Sequence, residues 1–185
     1  MVHSRHDNRP PTVARLIQTG GVIAYPTEAV FGLGCDPAQA HAVARVLALK
    51  GRNSDKGFIV VAADLRDLDH WIETDIVSPY VEQARQPAFS TWCWPLKPAC
   101  PEWLRGTHSS LAVRIPAWPP LRHLLAETGP LLSTSANRSG EPACRDAACV
   151  KRVFGDTIDL ILDGATGGEA QPSPVRIAAT GECLR

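Results

Sequence analysis

Lys50-Gly-Arg52-Asn-Ser-Asp-Lys56 puts three cations within seven residues. Such a run suits an anionic substrate, above all a chain of phosphates, although cations in a last helical turn also simply offset the negative end of the macrodipole. Ser133-Thr-Ser135-Ala-Asn137-Arg-Ser139 offers four hydroxyls and one amide in seven residues. These groups orient a polar ligand without adding charge, yet taken alone they read equally well as a helix N-cap and turn. Arg114 interrupts the apolar run Leu111-Ala-Val-Arg-Ile115, where a guanidinium either faces solvent or forks onto a carboxylate or phosphate. Thr27 and Glu28 follow the apolar Val22-Ile-Ala-Tyr25, and Ser173 lies in a glycine- and proline-rich approach to a strand. The chemistry these residues offer is the holding and neutralising of anions, without a protein nucleophile.

The rest of the composition agrees. Six cysteines are scattered without a Cys-x-x-Cys pair and six histidines do not cluster, so no metal site is expected. The thiols read as small buried apolar groups rather than as bridges. Basic and acidic side chains both number 19, so no global field draws the chain onto nucleic acid or membrane. No apolar run approaches the length of a membrane span and Met1 to Pro11 is polar, which implies a cytoplasmic protein with no membrane partner and a flexible stretch at about residues 1–11.

The elements that must carry these residues alternate between strand and helix. Thr12–Thr19 reads as a short helix and Val22–Tyr25 as a strand ended by Pro26. Gly32 and Gly34 read as turn residues before a helix from Ala38 to Lys50, capped by Asp36 with Pro37 in its first turn. Strands follow at Gly57–Ala62, Ser110–Ile115, Gly129–Ser135, Ile158–Leu162 and Val175–Ala179, with helices at Asp64–Trp71, Ile76–Gln86, Leu121–Thr128 and Arg145–Phe154. This is a single α/β domain with a mixed sheet, long enough at 185 residues to bury a substantial core.

Five segments in order carry a resemblance: Tyr25-Pro-Thr-Glu-Ala-Val-Phe-Gly-Leu-Gly34, Lys50-Gly-Arg52, Ser110-Leu-Ala-Val-Arg-Ile-Pro116, Ser133-Thr-Ser-Ala-Asn137-x-Ser-Gly140 and Cys183-Leu-Arg185. Together they resemble the YrdC/Sua5 family over nearly the whole chain, in its short bacterial form without the additional C-terminal domain of longer members. The resemblance implies a twisted mixed sheet flanked by helices around one open, positively lined cavity. It also implies an activity: condensation of L-threonine, bicarbonate and ATP into threonylcarbamoyl-adenylate, with release of pyrophosphate. That adenylate would supply an adenosine beside the anticodon of tRNA, through downstream threonylcarbamoyl-transferase proteins. Carried over residue by residue, Thr27, Ser135 and Ser173 match threonine-contacting positions. Lys50, Arg52, Arg114, Asn137, Arg145 and Arg185 match positions around ATP, with Lys50 and Arg52 as the catalytic cations and Mg²⁺ accompanying the nucleotide. On this reading, loss of Lys50 or Arg52 abolishes adenylate formation and leaves the fold intact.

Three departures from the family pattern set further expectations. Phe89-Ser-Thr-Trp92 passes straight into Cys93-Trp94-Pro95 where a Trp-Pro-Gly-Pro-x-Thr segment is usual, so about six residues are expected to be missing and Thr91–Trp94 to serve as a shortened strand. Asn53 stands where proline usually follows the arginine, and Pro174 follows Ser173 where Thr or Glu is common. A non-catalytic RNA-binding or ribosome-maturation module using the same basic cavity is the alternative. The neutral charge and the lack of aromatics near Lys50 to Lys56 argue against it.

Overall fold

Alternation of side chains across the strands decides this architecture. The computed structural model describes residues 12–184, so the expectation for residues 1–11 falls outside it. Eight strands form one mixed sheet: β1 Ile23–Pro26, β2 Phe31–Cys35, β3 Ile59–Val61, β4 Thr91–Pro95, β5 Ser110–Arg114, β6 Leu131–Ser135, β7 Leu160–Ile161 and β8 Val175–Ile177. Their order is β7-β1-β2-β6-β3-β5-β4-β8. The β3–β5, β4–β8 and β1–β7 pairs are parallel and the others antiparallel. The helices are α1 Val13–Gln18, α2 Ala40–Lys50, α3 Val81–Arg85, α4 Glu102–Arg105, α5 Pro119–Thr128 and α6 Ala147–Phe154.

Residues paired across strands share a face. One row runs Cys35, Leu132, Val60, Val113, Trp92 and is packed by Ala42, Val43 and Val46 of α2, while Val150 and Phe154 of α6 cover Ala24, Phe31 and Leu33 on the same side. The next row, on the opposite face, runs Gly34, Ser133, Ile59, Ala112, Cys93. There α1 and α5 cover only one end, packing Ile17, Leu121 and Leu125 onto Ile23, Tyr25, Val61 and Leu131. The remainder of that face carries small side chains and no helix, and it is the floor of the cavity described below.

Several expectations change. Gly32 and Gly34 lie inside β2, not in a turn, and neither has positive φ. They are small because the Tyr25 ring lies across them: a Cβ on Gly34 would meet Tyr25 Cε1 at 2.7 Å and the Leu132 carbonyl at 2.9 Å. The turn instead spans Thr27 to Val30, closing a β1–β2 hairpin that includes Pro26. Asp36 does not cap α2; its carboxylate accepts from the Ala38 amide, and the helix begins at Ala40 after Gln39. Asp64–Trp71 is only a 3-10 turn at Leu65–Leu68 held by an Asp64/Asp67 capping box, and Ile76–Gln86 yields helix only at Val81–Arg85. The last helix begins at Ala147, with the Asp146 carboxylate capping the Cys149 amide.

Two corrections matter for the site. No strand is lost after Trp92: β4 has five residues and pairs with both β5 and β8. Aligned at its strand entry, the Trp-Pro-Gly-Pro-x-Thr segment corresponds to Gln86-Pro87-Ala88-Phe89-Ser90-Thr91, which keeps the first proline and the threonine. The cysteines are not all thiols either. Cys144 and Cys149 form a disulfide, because the first turn of α6 carries Cys149 back to a Cα separation of 5.4 Å. Among the described residues no helix is long and apolar enough to cross a membrane.

Overpacking a finished core typically costs about 1–3 kcal/mol. Gly34→Ala is therefore expected to lower the unfolding free energy by about that much in urea titration, and Gly32→Ala, whose Cβ would meet Tyr25 no closer than 3.2 Å, by less.

Candidate active site

The uncovered face opens into a cavity of about 770 Å³. One rim is basic for a tertiary reason. Gly57 and Gly106 both have positive φ and lie against each other's loops, so that a Cβ on Gly106 would fall 2.3 Å from the Asp55 carbonyl and one on Gly57 2.7 Å from the Arg105 carbonyl. Backbone bonds from Phe58 to Leu104 and from Thr107 to Asp55 seal the contact. This brings Lys56, Arg105 and His108 to the wall that Arg52 also lines. Arg52 is fixed by donating to the carbonyls of Gly57 (2.7 Å) and Lys56 (3.4 Å), and it stacks 5.0 Å from the Phe58 ring centroid. A rim of this kind suits a polyanion.

The floor is hydroxylic. Ser133, 8% exposed, accepts a 2.8 Å hydrogen bond from the fully buried Tyr25 phenol. Burial pushes that phenol up to about 12, with the bond to Ser133 working in the opposite direction. Thr91 and Ser173 share a 2.9 Å hydroxyl–hydroxyl bond, both buried. Thr27 closes its own turn, donating from Oγ1 and from its amide to the Val30 carbonyl. The same turn carries Glu28 to Arg114, with Oε2 and Nη2 3.3 Å apart and both side chains buried. Neither Glu28 oxygen accepts a hydrogen bond and Arg114 Nε donates none, so this is a buried charge contact without fork geometry. Cys93 also lines the cavity, but burial raises its thiol, which argues against a thiolate there.

Lys50 has a different place. Its ammonium, 3% exposed, donates all three protons to one loop: to the Ser135 carbonyl (2.5 Å), the Asn137 carbonyl (2.9 Å) and Asn137 Oδ1 (3.0 Å). Its own carbonyl accepts from the Ser139 amide. Asn137 extends the network, accepting from Ser135 Oγ at 2.6 Å and donating to the carbonyls of Arg138 and Glu141.

Comparisons with known proteins bear on the family and the fold. The Sua5, YciO and YrdC family model, described as Telomere recombination, matches residues 15–185. The chain belongs to the Sua5/YciO/YrdC family. It is 46% identical over 179 residues to the threonylcarbamoyl-AMP synthase of Pseudomonas aeruginosa (strain UCBPP-PA14) and 45% identical to that of Pseudomonas putida (strain GB-1), with 96% of each chain covered in both cases. Among solved structures, P. abyssi Sua5 complexed with L-threonine superposes with a TM-score of 0.81 at 30% identity, covering 89% of this chain and 49% of that one. The H234A/Y235A form of P. abyssi Sua5 gives 0.84 at 29% identity, covering 93% and 51%.

As a member of the Sua5/YciO/YrdC family, the chain brings most of its expected site residues together. Thr27, Arg52, Arg114, Ser135, Asn137, Arg145 and Ser173 all line the one cavity. Lys50 is not among the described residues that line it, and Arg185 lies outside the described residues. Arg114, expected at the nucleotide, has Glu28 as its partner. Sequence reasoning missed Arg105, His108, Thr91 and the Tyr25–Ser133 pair; the positive-φ glycines flanking the basic loops were the available signal for the first two.

Burial, with Arg52 adding to it, lowers the Lys50 ammonium to about 8. The folded value lies below that of the open chain. This group's burden on stability is therefore present below pH 8 and lapses between about 8 and 10.5, while its three hydrogen bonds to the loop lose a proton over the same rise. The reaction rate is expected to fall as pH passes through about 8, a limb that Lys50→Arg flattens in a pH–rate profile. Lys50→Ala leaves three acceptors without their donor and is expected to cost about 2–5 kcal/mol in urea unfolding as well as activity.

Proposed function

We infer that this chain condenses L-threonine, bicarbonate and ATP into L-threonylcarbamoyl-adenylate and pyrophosphate, the activated intermediate of a tRNA modification. The observation that carries the reading is one cavity with a basic rim and a hydroxylic floor, in a chain 46% identical to proteins named threonylcarbamoyl-AMP synthase. The triphosphate occupies the rim of Arg52, Lys56, Arg105 and His108, with Asn137 and Arg145 toward the nucleoside. Threonine occupies the hydroxylic end at Thr27, Ser135 and Ser173.

The chemistry fits that division. The threonine amine combines with bicarbonate to give a carbamate and water. A carbamate oxygen then attacks the α-phosphorus, and the bond to the β-phosphate bridging oxygen breaks. Two anions must approach each other, so the barrier is governed by positioning and by cations aimed at the phosphates. Arg52 supplies such a cation, held before substrate arrives by its carbonyl partners. Lys50 contributes by holding the Ser135–Asn137 loop rather than by touching phosphate. Among the described residues no group of three His, Cys, Asp or Glu could hold a metal. We assign Mg²⁺ to the ATP substrate, as its usual companion, and no step to a resident ion. In the cytoplasm the adenylate then passes to downstream transferase proteins and tRNA.

Purified protein given ATP, bicarbonate and threonine is expected to release pyrophosphate only when threonine is present, with a threonine–AMP adduct visible by mass spectrometry. Removing one preorganised charge donor typically lowers kcat by about 10²–10³-fold, the loss expected for Arg52→Ala. Threonine-independent turnover, or none, would overturn the reading.

A further inference from the structure

The Cys144–Cys149 bridge closes a short ring, with a sequence separation of 5, and Arg145 stands inside it. Both ends of the ring are fixed by other means. Cys144, 1% exposed, accepts from the Phe31 amide at 2.8 Å and donates to the Ala136 carbonyl at 2.9 Å, so its backbone is tied to the start of β2 and to the residue after β6. Cys149 lies in the first turn of α6, where the Asp146 carboxylate caps its amide at 2.6 Å and Val150 and Phe154 anchor the helix in the core. Neither anchoring needs the sulfurs.

As a staple the bridge is poorly placed. The constraint a disulfide puts on the unfolded chain grows with the length of the loop it closes, and this loop is very short. What it encloses is Arg145, an exposed residue that lines the cavity and donates to the Ala170 carbonyl at a long 3.4 Å. A side chain so weakly held has its charge placed by its backbone. Cutting the bridge leaves the Cys144 and Asp146 bonds in place and frees the turn at Arg145 to move against α6.

The two sulfurs also differ in access. Cys144 is buried and Cys149 half-buried, so an attacking thiolate meets Cys149 first. Cys35, Cys93 and Cys100 are buried and burial raises each of their thiols, which disfavours such exchange there. In the cytoplasmic setting given above, a disulfide is usually transient.

We propose that Cys144–Cys149 is a reversible redox site, reduced by a dithiol, and that its oxidised form holds Arg145 for nucleotide binding. The inference rests on the placement of Arg145 toward the nucleotide. One thiolate of the dithiol attacks Cys149 Sγ, the Sγ–Sγ bond breaks, and Cys144 leaves as a thiolate and takes a proton. The second thiolate then breaks the mixed disulfide and Cys149 is released as a thiol. The reductant departs as its own disulfide, having given the chain two electrons and two protons. Arg145 is the residue through which the bridge acts on ATP, and the cysteines are positioning residues.

Protein purified without reductant is alkylated and mapped by mass spectrometry. The dissociation constant for ATP is measured by equilibrium dialysis before dithiothreitol, after it, and again after reoxidation with oxidised glutathione. A linked Cys144–Cys149 peptide is expected in the first and third samples. One exposed charge contact is worth about a two- to fivefold change in affinity, and ATP is expected to bind the reduced protein more weakly by that factor. Cys149→Ser is expected to bind like the reduced form in either redox state, and Arg145→Ala to bind weakly without responding to dithiothreitol. Thiols at both positions after oxidation, an unchanged dissociation constant, or a response that persists in Arg145→Ala would overturn the redox site and leave the reaction standing. Redox-responsive ATP binding without threonine-dependent pyrophosphate release would overturn the reaction and leave the redox site. A wild-type protein that binds no ATP would overturn both.

Discussion

The alternation of side-chain size across the central strands is the constraint on which the molecule depends. Four of the five central strands, β2, β6, β5 and β4, give a bulky or apolar residue to one face and a smaller one to the other, Trp92 beside Cys93 and Leu132 beside Ser133, while β3 is apolar on both faces. The bulky row joins α2 in a core from which water is excluded, each large side chain contributing roughly 1.5–3 kcal/mol. The small row cannot make a core of its own and is left as a floor. Stability and binding are thus divided by a period of two residues, and a slip of one residue in any central strand would exchange them.

Electrostatics then sorts the cavity into regions. Cations near the mouth are held by backbone carbonyls and by one stacked ring, hydroxyls lie within, and the charged pair Glu28–Arg114 is buried. Lys50 links the core helix to the site. It ends α2, and its ammonium organises the loop that presents Ser135 and Asn137. A buried ammonium with three acceptors is a rigid strut, so the last turn of a core-packed helix fixes the position of binding groups on another element.

What was legible in the sequence follows from how local each feature is. Lys50 and Arg52, and likewise Ser135 and Asn137, stand close enough along the chain for their clustering to be read directly. The strand at Leu131–Ser135 was legible from its apolar start, and the helix ending at Lys50 from its spacing. Gly32 and Gly34 misled because a glycine needed to admit an aromatic ring looks the same as a glycine needed for a turn. Arg105 and His108 were overlooked because they reach the rim only through the Gly57–Gly106 contact between distant loops, at which the two glycines were the one hint. The supposed gap after Trp92 came from matching a tryptophan to a tryptophan, whereas strand pairing makes Thr91 the first residue of an intact β4. The Cys144–Cys149 bridge was missed because it depends on where α6 starts.

The backbone contact between Gly57 and Gly106 also shapes the field outside the molecule. Among the described residues Arg52 and Lys56 have no carboxylate partner, and the partner of Arg105, Glu102, is largely exposed to solvent. Loop-to-loop packing, and not counter-charge, holds like charges close together. A protein whose 19 basic and 19 acidic groups cancel overall can therefore still project a concentrated positive potential from a single opening. Such a potential reaches about 8–10 Å in physiological salt. It acts on a polyanion before any contact is made, giving the encounter a direction that the net charge conceals.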